Sequence, residues 1–145
     1  MRQISVPQVG VFMALFVLVL LLAAGTSHWG LGSLPLGDFR GVVLLLGGVV
    51  AMYLWAFVAY RLFLKAMPLA EGELEPGSRA EFAAQVNILF YLLLFNTLIR
   101  THFLPVPLMR LVYLALGARL GPNTYSAGTL LDPPLIEFGA NCIIG

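Results

Sequence analysis

The chain has 145 residues, 60% of them hydrophobic and only 10% charged, and its mean hydropathy is +0.94. Soluble domains carry about 25% charged residues, so this composition excludes an ordinary soluble fold and points to an integral membrane protein. The net charge of +1 is scattered rather than gathered in a basic stripe, which argues against nucleic acid as a partner, and the single Cys142 excludes an internal disulfide and a cysteine-cluster metal site.

The first apolar run, residues 9–24, is sixteen residues without a charge. A bilayer core takes roughly 17 to 25 helical residues, so with Val6 and Pro7 before it the run is just long enough to span. A secretory signal peptide is the competing reading, with Arg2 as its basic start and Ala23, Ala24 and Gly25 as a small-residue cleavage site. The length of the run and the membrane segments that follow favour an anchor helix. Residues 25–40 are rich in Gly and Ser and read as a loop. His28 stands there without a ligand partner at metal spacing, as an ordinary interfacial residue.

The second run, residues 41–60, holds twenty uncharged residues between Arg40 and the pair Arg61 and Lys65, with Tyr53, Trp55 and Tyr60 toward one end. Gly47 and Ala51 form a small-xxx-small pair that can seat a neighbouring helix. The stretch AEGELEPGSRAEF is water-loving: Pro76 and Gly77 stop one helix, and Ser78 with Glu81 makes a capping box that starts the next. The third run, residues 83–99, is uncharged but contains Gln85, Asn87, Asn96 and Thr97. Gln85 and Asn96 are eleven residues apart, close to three turns, and so share a face turned toward protein or headgroups.

Charge sets an orientation. Arg2, Arg61, Lys65 and Arg79 place both ends of the first hairpin in the cytoplasm and the loop between them outside. A full third crossing would put Arg100, Arg110 and Arg119 outside against that rule, so the third segment is expected to be re-entrant or interfacial. Pro105 and Pro107 break it, and a short helix over residues 108–116 follows. Arg40, Arg61, Lys65, Arg100 and Arg110 are the expected membrane-interface cations. The domains read as a transmembrane hairpin over residues 1–66, a polar linker over 67–82, interfacial or re-entrant helices over 83–116 and a different structure from 117 to 145.

That last stretch counts in sixes. Of the blocks set on Leu120-Gly121, Ser126, Asp132, Phe138-Gly139 and Ile144-Gly145, three begin with an apolar residue followed by glycine and those at Ser126 and Asp132 do not; the two best, LGPNTY and FGANCI, lie eighteen residues apart. One short strand per six residues with a turn after each returns the chain to stack Phe138 over Leu120 as a three-sided solenoid. The first residue of each block then points inward, glycine at the second place supplies unusual φ, and Thr124 and Cys142 fit a crowded corner.

With Leu116-Gly117, Arg119, Leu120-Gly121, Asp132-Pro133, Phe138-Gly139, Asn141 and Ile144-Gly145 as the matching positions, the last thirty residues resemble the opening of the left-handed β-helix of hexapeptide-repeat acyltransferases. The helices before them resemble those of membrane-bound members of that superfamily. Phe138 departs from the usual Ile, Val or Leu. The resemblance implies a homotrimer, with a bacterial cytoplasmic membrane as the expected location, and the charge rule puts the C-terminal part in the cytoplasm. The resemblance also implies transfer of an acyl group from an acyl-CoA or related thioester to a hydroxyl or amine, with a histidine as general base in a later coil. His28 and His102 lie outside the coil region, and Pro107 stands five residues after His102, where a His-x4-Asp motif needs its aspartate. No catalytic residue, bound cofactor or metal is therefore assigned within these residues.

A solenoid needs roughly three repeats to bury a core, so the expectation is an amino-terminal portion whose coils are completed by later sequence or by another polypeptide. The rival expectation is a small non-enzymatic membrane subunit whose tail docks on a partner complex.

Overall fold

The computed structural model describes residues 4–101 and 103–145; Arg2 and His102 lie outside them. Helix α1 (Val6–Leu31) starts where Ser5 donates its backbone N–H to Gln8 Oε1 at 2.8 Å. It runs seven residues past the apolar stretch, correcting the loop expected from residue 25. The hydroxyls that suggested a loop are satisfied within helices: Thr26 Oγ1 donates to the Leu22 carbonyl at 2.8 Å and Ser27 Oγ donates to Leu44 across the hairpin at 2.9 Å. His28 therefore sits, exposed, in the last turn of a helix.

Helix α2 (Arg40–Ala66) returns antiparallel after a 3-10 turn, Gly37–Phe39. Its first residue, Arg40, donates to the Gly32 carbonyl at 2.9 Å, a cation closing the negative end of α1. Leu31 of α1 packs over Gly47, where a Cβ would lie 2.3 Å from Leu31 Cδ1.

Helix α3 (Arg79–Phe90) opens on the expected cap: Ser78 Oγ accepts from Glu81 N at 3.1 Å, and Glu81 Oε2 accepts from Gly77 N at 2.6 Å. It continues through a π turn, Tyr91–Phe95, into α4 (Asn96–Arg100). That wide turn breaks the three-turn register between Gln85 and Asn96, leaving Gln85 buried and Asn96 half-buried.

Three stretches are long and apolar enough to cross a membrane: Val6–Leu31, Gly37–Ala66 and Arg79–Arg100. The third differs in kind, with 44% of its most apolar window buried inside the protein against 17% and 6% for the others. Its inward face meets an aromatic core in which Phe12 and Phe90 pack edge-on at 5.2 Å between centroids, Phe57 stacks on Phe95 at 4.9 Å, and Tyr60 contacts Phe95 at 5.3 Å.

Helix α5 (Val106–Leu116) begins two residues before the expected start, because Pro105 is its N-cap and Pro107 sits in the first turn, where a missing N–H costs nothing. Gly117 ends it at φ +109°, with Ala118 N donating to the Tyr113 carbonyl at 2.9 Å.

Four two-residue strands follow: β1 (Arg119–Leu120), β2 (Tyr125–Ser126), β3 (Glu137–Phe138) and β4 (Ile143–Ile144). Strand β1 pairs with β3 and β2 with β4, both parallel, joining Arg119 to Glu137, Leu120 to Phe138, Tyr125 to Ile143 and Ser126 to Ile144. All four partners are eighteen residues apart. Leu120 and Ser126 are buried and Phe138 and Ile144 half-buried, while Arg119, Glu137 and Ile143 face outward. The block positions at Leu120, Ser126, Phe138 and Ile144 thus turn inward as counted, whereas Asp132 is exposed.

The strands form two separate two-stranded sheets, short of the expected left-handed β-helix, and no strand forms between β2 and β3. Asp132 takes a left-handed φ of 49° and Pro133–Leu135 form a 3-10 turn, because two successive prolines have no N–H to give a ladder.

Glycine plays another part than expected. Positive φ at the corners falls on Asn123 (55°) and Asn141 (59°), whereas Gly121 and Gly139 have none. Gly121 is needed for close approach: a Cβ there would lie 2.6 Å from the carbonyl carbon of Gly139 in the layer above.

Candidate functional site: the junction between helices and coil

The tail is gripped by polar side chains rising from the helices. Tyr60 on α2 donates to Asn87 Oδ1 at 2.5 Å, and Asn87 Nδ2 donates to Asp132 Oδ1 at 3.2 Å, so the corner aspartate is tied back to two helices. Tyr91 in the π turn donates to the Leu130 carbonyl at 3.0 Å. Tyr113 on α5 donates to the Gly128 carbonyl at 3.0 Å and accepts from Leu130 N at 3.2 Å. Burial pushes the Tyr113 phenol above its ordinary pKa, and the hydrogen bond from Leu130 only partly offsets this. The hydroxyl therefore stays protonated at neutral pH and keeps its donor.

Arg110 is the central clasp. Its Nε donates to the Thr124 carbonyl at 3.1 Å, and its Nη2 donates to the Leu120 and Gly121 carbonyls at 3.3 and 3.2 Å. It was expected as an interface cation, and the structure gives it this further task. One guanidinium serves three carbonyls because its donors form a rigid planar fork.

Within the tail, the layers are stitched at the corners. Asn123 Nδ2 donates to Asn141 Oδ1 at 3.2 Å, while Thr124 Oγ1 accepts from Cys142 N at 3.2 Å and donates to the Gly139 carbonyl at 2.5 Å. Thr124 is completely buried, as the crowded corner required, and Cys142 is half-buried. Arg119 and Glu137 pair at 3.2 Å on the outer surface, where exposure makes the pair weak.

The other interface candidates remain on the helices, with Arg40, Arg61, Lys65 and Arg100 all exposed. Among the described residues, no group of three or more His, Cys, Asp or Glu side chains could hold a metal.

Sequence reasoning missed Tyr60, Tyr91 and Tyr113 as anchors and gave Asn87 no partner. A polar side chain within an apolar run was the available signal, but its partners lie up to 45 residues away.

Comparison with protein-family models, with curated proteins and with solved structures finds no match to this chain.

Proposed function

We propose that this chain is the amino-terminal membrane anchor and first coil of an acyltransferase of the hexapeptide-repeat kind. In this reading the helices hold a left-handed parallel β-helix at the membrane surface. Further coils stack on β3 and β4, and an acyl group passes from a CoA-type thioester to a hydroxyl or amine acceptor. The single observation that carries the reading is the eighteen-residue register of all four strand partners. The stacked Asn123 and Asn141 corners add support, since they repeat one backbone conformation at the same interval.

Placement of the third helix at the surface belongs to the same reading. The tail meets the α3–α4 rod at Asn87 and Tyr91 through hydrogen bonds, and Ile99 lines a cavity with Ser126, Gly128 and Thr129. Short strands with open edges carry backbone groups that hydrocarbon cannot satisfy. A rod lined by them along this length is better placed at the interface, with exposed Leu92 and Leu93 toward lipid. Ser78 and the tail then share the cytoplasmic side and Ser33 faces outward, which thiol labelling of Ser33→Cys and Ser78→Cys in intact cells tests. External labelling of Ser78→Cys would overturn the orientation.

Acyl transfer itself is tested by thioester turnover with the 145-residue chain beside the whole product of its gene. The chain alone should transfer nothing, because residues 117–145 hold no histidine to serve as the implied general base. Turnover by the whole product supports the proposal. Its absence, with the tail captured instead by another subunit, would favour a non-enzymatic docking role.

A further inference from the structure

A groove of about 430 Å³ lies where α2 ends, lined by Arg61, Leu69, Glu71, Leu114, Gly117 and Pro134 among others. It opens between the membrane hairpin and the coil. Arg61 stands five residues before the end of α2, at the level where the apolar run gives way to charge. Gly117 lines the groove with its backbone: Arg61 Nη1 lies 2.9 Å from where a Cβ would stand, and its φ of +109° disfavours any other residue. Arg61 and Glu71 share this small space, yet neither side chain makes a hydrogen bond or ion pair with any described residue. Arg119, on the same wall, is already engaged by Glu137.

We propose that this groove binds a phosphoethanolamine-type group, with Arg61 taking the phosphate and Glu71 the ammonium. A planar guanidinium matches phosphate oxygens in pairs, and a carboxylate accepts from a primary ammonium. Two opposite charges held in one groove without pairing complement a ligand that carries both. A purely anionic ligand would instead leave Glu71 facing like charge, and Leu69 and Leu114 supply apolar wall for the adjoining carbons. The source is either the headgroup of a membrane lipid or a soluble phosphorylated amine. The site stands whether or not acyl transfer is the function.

The test is native mass spectrometry of the full chain released from mixed micelles holding equal phosphatidylethanolamine, phosphatidylglycerol and phosphatidylcholine. The wild type should retain phosphatidylethanolamine about tenfold over phosphatidylglycerol, the effect of one such charged contact. Arg61→Gln should lose that retention about tenfold, with Arg61→Lys intermediate, whereas Glu71→Gln should keep phospholipid but lose the preference. Added O-phosphoethanolamine separates the sources: displacement of the lipid assigns a soluble ligand, and no displacement assigns the headgroup. Equal retention of the two lipids by the wild type, or wild-type retention by Arg61→Gln, would overturn the proposal. So would failure to bind both phosphatidylethanolamine and the free amine.

Discussion

Substituting Gly121 and Gly139 separately to alanine probes the coil with an internal control. At Gly121 the new methyl would sit 2.6 Å from Gly139 C and 2.7 Å from both Ala140 N and Gly139 O, all backbone atoms. That layer cannot simply lift. Gly121 N donates to the Phe138 carbonyl and Asn141 N to the Pro122 carbonyl, both at 2.9 Å, on either side of the clash. Overpacking of this kind costs about 1 to 3 kcal/mol, which should raise amide exchange in the β3 and β4 peptides between about fivefold and about 150-fold. At Gly139 a Cβ meets nothing within 4 Å and φ is not positive, so Gly139→Ala should leave exchange in the 145-residue chain unchanged. If a further coil stacks on β3, Gly139 acquires the neighbour that Gly121 already has. Gly139→Ala should then become as damaging as Gly121→Ala in the extended protein. Hydrogen exchange read by mass spectrometry, with circular dichroism to confirm that the helices are intact, decides the matter. Equal tolerance of Gly121→Ala and Gly139→Ala in the 145-residue chain would refute the close-approach argument.

Asn87→Ala should destabilise the protein by about 1 to 3 kcal/mol, since it leaves the Tyr60 hydroxyl buried without its acceptor and frees Asp132; a lowered thermal midpoint in detergent checks this. Arg110→Met should expose the tail to limited proteolysis between residues 120 and 128 while the helices persist, and Arg110→Lys should restore only part of the protection because an ammonium cannot span three carbonyls. The raised Tyr113 pKa fixes a sign for pH dependence. Below the ordinary value of 10.0 the phenol is neutral folded and unfolded, so docking is insensitive to pH; above it the unfolded form ionises first and stability falls. Protection of the Gly128–Leu130 amides, taken relative to their intrinsic exchange rates at each pH, should therefore be constant below the ordinary phenol value of 10.0 and fall above it, a fall that Tyr113→Phe removes.

The long apolar helices were legible because hydrophobic run length is a local property, and the cap at Ser78 and Glu81 spans only three residues. The eighteen-residue spacing was legible as well, since a repeat announces its own period, and Leu120 pairs with Phe138 as counted. What counting could not supply was the reason for each residue. The unusual φ expected of Gly121 falls instead on Asn123, and Gly121 serves close approach, because close approach between layers is invisible until the layers exist. The end of α1 was misplaced for a similar reason: Thr26 and Ser27 look like loop residues until a helical carbonyl or a neighbouring helix accepts their hydroxyls. Nor could the sequence join Tyr60 to Asn87 to Asp132, or aim Arg110 at three carbonyls ten to fourteen residues away. Hydrogen-bond partnership between distant residues depends on where packing brings their backbones, and composition and period carry no record of that.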